Sequence, residues 1–202
     1  MSASQPLGVV VNTHNATPSS GYPIVHATNG MVEGSSPLLG PYAVKNVPGV
    51  GKGVSTIVIQ NLGGVATAPT LSFQPLGGGM ATSFTGRTLA PGASWAFDPR
   101  FADGDTAKAV CGASASAGCL ADGEYAFVAR ADNDSIAAVV NVIGQTTAAG
   151  YTAVLNGAAR VFLPNVTRRL GGADGWTMAI ALEGNTATGA TLSWYRFSDG
   201  AL

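Results

Sequence analysis

Cysteines, histidines and clustered carboxylates are the side chains through which this chain of 202 residues could do chemistry, and they are few. Cys111 and Cys119 enclose Gly-Ala-Ser-Ala-Ser-Ala-Gly, a linker supple enough to bring two sulfurs within bonding distance. The spacing predicts a short-loop disulfide, since a zinc site would lack two further ligands; the alternative is a pair of free thiols. The ring would restrict its loop and contribute about 2 kcal/mol by the chain-entropy argument. A disulfide implies oxidising surroundings, so the expected location is extracellular or at the cell surface.

The remaining candidates for chemistry each have a plainer reading. His14 and His26 are the two histidines, and no G-x-S-x-G occurs. A Ser/His/Asp site assembles from distant residues, but histidines in turn-rich sequence are more often bystanders, so no catalytic residue is assigned and a non-enzyme is expected. Residues 49–56 (GVGKGVST) are reminiscent of a phosphate loop, yet glycine follows the lysine where Ser or Thr is needed, and a strand follows where a helix is needed. Asp98, Asp103, Asp105 and Asp122, with Asp132-Asn133-Asp134, could offer oxygens to calcium, or could simply form turns. No metal or cofactor is assigned. Trp95, Trp176, Trp194, Tyr195 and Phe197 could make an aromatic platform for a sugar ring, which keeps glycan as a candidate ligand. Against that, Trp95 alternates with Phe97, and Trp194 falls in the column of Phe73, as core residues do. Three Asn-x-Ser/Thr tripeptides, at Asn15, Asn133 and Asn165, match the glycosylation acceptor.

Composition narrows the scaffold. With 46% hydrophobic residues a packed core is within reach, and with 10% charged residues and a net charge of −1 there is no basic face for nucleic acid. The 28 glycines, with abundant Ala, Val, Thr and Ser, favour short strands and turns. No segment approaches the ~20 apolar residues of a membrane span, so no membrane insertion is expected. Residues 1–7 lack a basic n-region and 9–11 are too short an apolar core, so no leader is read.

An internal repeat organises the chain. Residues 134–151 (DSIAAVVNVIGQTTAAGY) superpose without a gap on 5–22 (QPLGVVVNTHNATPSSGY), and 176–194 (WTMAIALEGNTATGATLSW) lie along 55–73 (STIVIQNLGGVATAPTLSF). A period of roughly 120 to 130 residues makes each unit a domain. Met1 aligns with Arg130, so the chain is expected to start mid-module.

Strands are expected at 7–12, 22–27, 42–47, 54–61, 68–76, 82–89, 94–98, 124–130, 136–143, 151–155, 160–166, 176–182 and 190–197, separated by Gly, Pro and Asn turns. The run at 54–61 reads as a central strand, and 124–130 with 136–143 as a hairpin across 131–135. The expected core is Ile57, Ile59, Leu71, Phe73, Leu89, Trp95, Phe97, Tyr125, Phe127, Ile136, Val139 and Val140. The fold class that follows is all-β: an antiparallel immunoglobulin-like sandwich, one complete module (36–158) flanked by partial ones (1–35 and 159–202).

Ile59-Gln60-Asn61, the 89–94 run LAPGAS, the 136–141 run IAAVVN and Phe162-Leu163-Pro164 together resemble tandem immunoglobulin-like modules of bacterial cell-surface proteins. The resemblance implies a structural or adhesive protein with no universal active site, belonging to a stalk, surface layer or filament. The partial modules suggest head-to-tail self-assembly by strand addition, with Leu7, Val9 and Val11 as the inserted knobs and Ile180, Leu182, Leu192 and Trp194 on the accepting strands. A carbohydrate- or surface-binding module is the alternative reading.

Overall fold

The computed structural model describes residues 10–14, 25–31, 33–47, 53–144, 148–155, 157–161, 163, 166, 172, 180–184 and 189–195. The expectation of an all-β, antiparallel chain holds across them. Ten strands follow in order: β1 Val10–His14, β2 Val25–Asn29, β3 Leu38–Val47, β4 Gly53–Asn61, β5 Thr70–Pro75, β6 Thr82–Thr85, β7 Ser94–Phe97, β8 Gly123–Arg130, β9 Ile136–Ile143 and β10 Ala148–Thr152. A single 3-10 turn at Ala102–Gly104 is the only helical element among the described residues.

β1 and β2 form a two-stranded hairpin, and the other strands run in the order β10-β9-β4-β3-β8-β5-β6, with β7 also on β4. The β-branched run of β4 places it at the centre. One of its edges pairs β9 without interruption, from Val54 opposite Ile143 to Asn61 opposite Ile136. The other edge is shared: β3 meets it at Lys45/Val54 and Val47/Gly53, and β7 takes over from Ile57/Phe97 to Gln60/Ser94. The sheet therefore forks at β4 and curls, so that Phe73 of β5 and Phe84 of β6 lie 5.2 and 4.9 Å from the ring of Phe97 on β7.

That curl encloses one core, to which Ile57, Ile59, Leu71, Phe73, Leu89, Trp95, Phe97, Tyr125, Phe127, Ile136 and Val140 all belong. Period-2 alternation explains the set, each large buried chain contributing about 1.5–3 kcal/mol. Val139 is a correction: successive residues of a strand face opposite sides, Val140 takes the inner one, and Val139 is only half-buried. Leu38, inside the stretch expected to be a connection, is also fully buried, because β3 starts four residues before the expected 42.

The hairpin expected between 124–130 and 136–143 is overturned. β8 pairs β3 and β5, whereas β9 pairs β4 and β10. The connection crosses from one arm of the fork to the other, tied down by Asn133, whose side-chain amide donates to Asn61 Oδ1 at 2.7 Å. The expected strands at 160–166, 176–182 and 190–197 are likewise absent at their described residues, which carry no ladder. Strand-forming residues become strands only where a partner edge is present.

The recurrent Gly-Tyr at the end of the repeat has a structural reason in its second copy. Gly150 leaves room for His26 of β2, whose Nδ1 would sit 2.4 Å from any Cβ added there. The Tyr151 hydroxyl receives the Tyr42 N–H at 3.2 Å and donates to the Tyr42 carbonyl. It thereby replaces a strand at the point where the β3–β8 register shifts between Gly40 and Ala43. Tyr22, its counterpart in the first copy, lies outside the described residues. Replacing Tyr151 by Phe should leave both Tyr42 groups short of a partner and lower stability by about 1–2 kcal/mol in urea unfolding, with no change of slope.

Candidate functional site

The residues expected to make an assembly joint can be compared with their counterparts inside the central module. Val11 on β1 is 51% exposed, whereas Val140, its match in the repeat, is 0%. Leu182, Leu192 and Trp194 are 58%, 50% and 59% exposed, whereas Asn61, Leu71 and Phe73 in the same columns are 0%, 0% and 1%. Ile180 is half-buried. Leu7 and Val9 lie outside the described residues; their matches, Ile136 and Ala138, belong to the core. Trp194 is thus not a core residue here, contrary to the column argument, because among the described residues no strand pairs with the stretch that carries it. Trp95 is core, Trp176 and Phe197 lie outside the described residues, and Trp194 and Tyr195 stand exposed side by side. No shared aromatic platform is assembled among the described residues.

The expected disulfide joins Cys111 and Cys119, with Cα atoms 5.6 Å apart. It points to oxidising surroundings; among the described residues no helix is long and apolar enough to cross a membrane. Sequence reading missed what holds this loop. Lys45, on β3, is fully buried, and its ammonium donates to the carbonyls of Gly112 at 2.6 Å and Leu120 at 2.8 Å and lies 3.1 Å from Asp122 Oδ1. Each carbonyl belongs to the residue after a bridging cysteine, so one cation pins both feet of the ring. The only available sequence signal is parity: Lys45 shares a strand face with the buried Ala43.

The clustered aspartates are separately engaged. Asp98 takes a forked contact from Arg100, Nη2 to Oδ2 at 2.6 Å, which raises the pKa of the guanidinium. Asp103 meets Lys108 at 2.8 Å, and Asp105 accepts from the Ala107 N–H. Asp103 and Asp134 adopt the left-handed conformation, with φ of 53° and 50°, that Asp tolerates in turns. Among the described residues no three His, Cys, Asp or Glu converge as a metal site. Asp132 and Asp134 instead line an open groove of about 610 Å³ with Ser36, Thr70, Thr85 and Arg130.

Two groups near Tyr151 have shifted acidity. Burial, then the hydrogen bond to Glu124 and its charge, raise the Tyr42 hydroxyl to about 12. Burial raises the Glu183 carboxyl from 4.5 to about 7, and its charge adds to burial in raising the Tyr151 hydroxyl. Glu183 Oε2 has no hydrogen-bond partner among the described residues. His26 is buried with neither ring nitrogen bonded among them. His14 lies on β1 opposite Val25.

Two outcomes follow. Lys45→Met keeps the volume but removes the cation, leaving two carbonyls without their donor and Asp122 with only the Asn46 side-chain amide. It should cost about 2–4 kcal/mol by denaturant unfolding and raise hydrogen exchange in the 111–122 loop. For Glu183, a carboxyl raised on folding binds protons that the unfolded form has released. Its contact is therefore favoured at low pH and weakens as pH rises from about 4.5 through about 7. Amide exchange in 180–184 should increase across that window in the native chain and be pH-independent, after correction for intrinsic rates, in Glu183→Gln.

Comparison of the chain with protein-family models, with curated proteins and with solved structures finds no match.

Proposed function

We propose that this chain is a non-enzymatic extracellular or cell-surface structural subunit. Its β-sandwich modules, of the immunoglobulin-like kind, join head to tail in a filament, surface layer or stalk. In this reading residues 36–158 are the complete module, 1–35 supply a final strand and 159–202 supply the opening strands of the next repeat. The observation that carries it is the contrast between columns. Positions buried within the central module are half exposed or more in their repeats at Val11, Leu182, Leu192 and Trp194. A soluble chain gains by covering such side chains, and the natural cover is the strand that covers their matches. The two-stranded β1–β2 hairpin supports the same reading, because β1 has a strand on one edge only among the described residues and an open edge gains from a further strand.

The groove beside Asp132 and Asp134 favours a second reading, an adhesive module. Its carboxylates and Arg130 offer donors and acceptors suited to sugar hydroxyls.

Deleting residues 2–12 separates the readings. Light scattering should show wild-type assemblies reduced to monomers, while the melting of the central module is retained. Assemblies unchanged by the deletion would overturn the structural reading, and glycan binding by the resulting monomer would favour the second.

A further inference from the structure

The ring between Cys111 and Cys119 has little of its own to hold a shape. Residues 112–117 are exposed, and none carries a side chain larger than serine, so apolar burial does not fix this stretch. Both cysteines are nevertheless buried, with Cα atoms 5.6 Å apart, within the range a bridge needs. Contacts that do not involve sulfur gather the two ends. Lys45 holds the carbonyls of Gly112 and Leu120, the Ala113 carbonyl accepts the Asp122 N–H at 2.7 Å across the base of the ring, and the Cys111 N–H donates to the Arg100 carbonyl at 2.8 Å.

Lys45 itself is placed from outside the ring. It lies opposite Val54 on one side and Gly123 on the other, so the β3 ladders with β4 and β8 fix its backbone whether or not the cysteines are joined. A fully buried ammonium is heavily penalised when its acceptors are missing, and all three acceptors of Lys45 come from residues 112–122. The folded sheet therefore draws this segment inward even without a bridge.

We propose that Lys45 is the positioning residue for the disulfide: the sheet gathers Cys111 and Cys119 through Lys45 before they are joined, so the loop keeps its shape as a dithiol and the bond locks an arrangement already made. The clamp and the bond constrain the same two segments, and by linkage each strengthens the other by the same factor. The bond forms by exchange with a small-molecule disulfide such as glutathione disulfide. One cysteine sulfur attacks a glutathione sulfur and releases one glutathione thiol; the other attacks the mixed disulfide and releases the second. Two electrons pass from the cysteine sulfurs to glutathione, and the two cysteine protons end on the released thiols. Lys45 takes no part in these steps beyond holding the sulfurs within reach.

Equilibrating the native full chain in buffers of reduced and oxidised glutathione measures the effective concentration of one thiol at the other. A short flexible linker gives values in the millimolar range, and the wild-type chain should exceed them by roughly a hundredfold. Lys45→Met should lower the wild-type value by about tenfold. Ile136→Val, a core change opposite Asn61 and so at the other end of β4 from Val54, lowers global stability and should leave the value unchanged. A wild-type value in the millimolar range, equal values in wild type and Lys45→Met, or a fall as large in Ile136→Val overturns the proposal. If Lys45→Met does not fold, the reduced wild-type chain decides. Its Asp122 amide, bonded to Ala113, should keep its protection from hydrogen exchange to within about tenfold of the oxidised chain, and loss of that protection on reduction overturns the proposal as well.

Discussion

β4 has two edges, and three strands need them. β9 takes one edge entirely, so β3 and β7 must divide the other, and the fork that results turns a single path of strands into an enclosure. Buried polar side chains hold the fork at both ends. Lys45 sits opposite Val54 at the start of β4 and ties the corner to the disulfide loop, while Asn61 ends the strand by bonding the turn after it and the 131–135 crossing. Apolar burial supplies most of the driving force, but it is non-directional. The buried hydrogen bonds, costly to leave unmade, decide which strand goes where.

The same division explains which features were legible in the sequence. The disulfide follows from two cysteines and a flexible spacer, and the core follows from alternation in 57–59, 71–73, 95–97 and 125–127. Both are local signals. The β8–β9 connection was not legible, because five residues rich in Asp and Asn can close a hairpin or make a crossing equally well. Partners far away in sequence select the crossing: the Asn133 side chain reaches Asn61, the Leu62 N–H donates to the Ser135 carbonyl, and the Ala131 N–H donates to Ser36. Lys45 was hidden for the same reason: its partners, Gly112, Leu120 and Asp122, are brought to it by folding, and a lysine within a strand ordinarily reads as a solvated face. Tyr151 belongs in this class too, since a side chain standing in for a strand leaves no periodicity to detect.

The repeat was legible as a sequence pattern, and at the described residues its first segment is strand in both copies, as β1 and β9, whereas its second is not. Ser-Thr-Ile-Val-Ile-Gln-Asn becomes the central strand of an eight-stranded sheet, whereas the described part of its counterpart, residues 180–182, carries no strand. Propensity is similar in the two, so the difference lies in partners. β-structure is a property of a neighbourhood, and the first copy has β9, β3 and β7 around it.

Where the copies differ in sequence, the change runs in one direction. At the end of β4 a buried asparagine with four side-chain hydrogen bonds corresponds to Leu182, and in the next strand Phe73 corresponds to the larger Trp194. Losing the asparagine removes the peg that shapes a corner within a chain; gaining Leu and Trp adds apolar area at positions that lie half exposed. A second copy of the same internal corner would have to keep the polar peg, because its unpaired donors and acceptors are expensive. Leu182 and Trp194 instead carry apolar area where the module has a polar peg and a smaller ring, so the corner that Asn61 builds has no equivalent at the described residues of its counterpart.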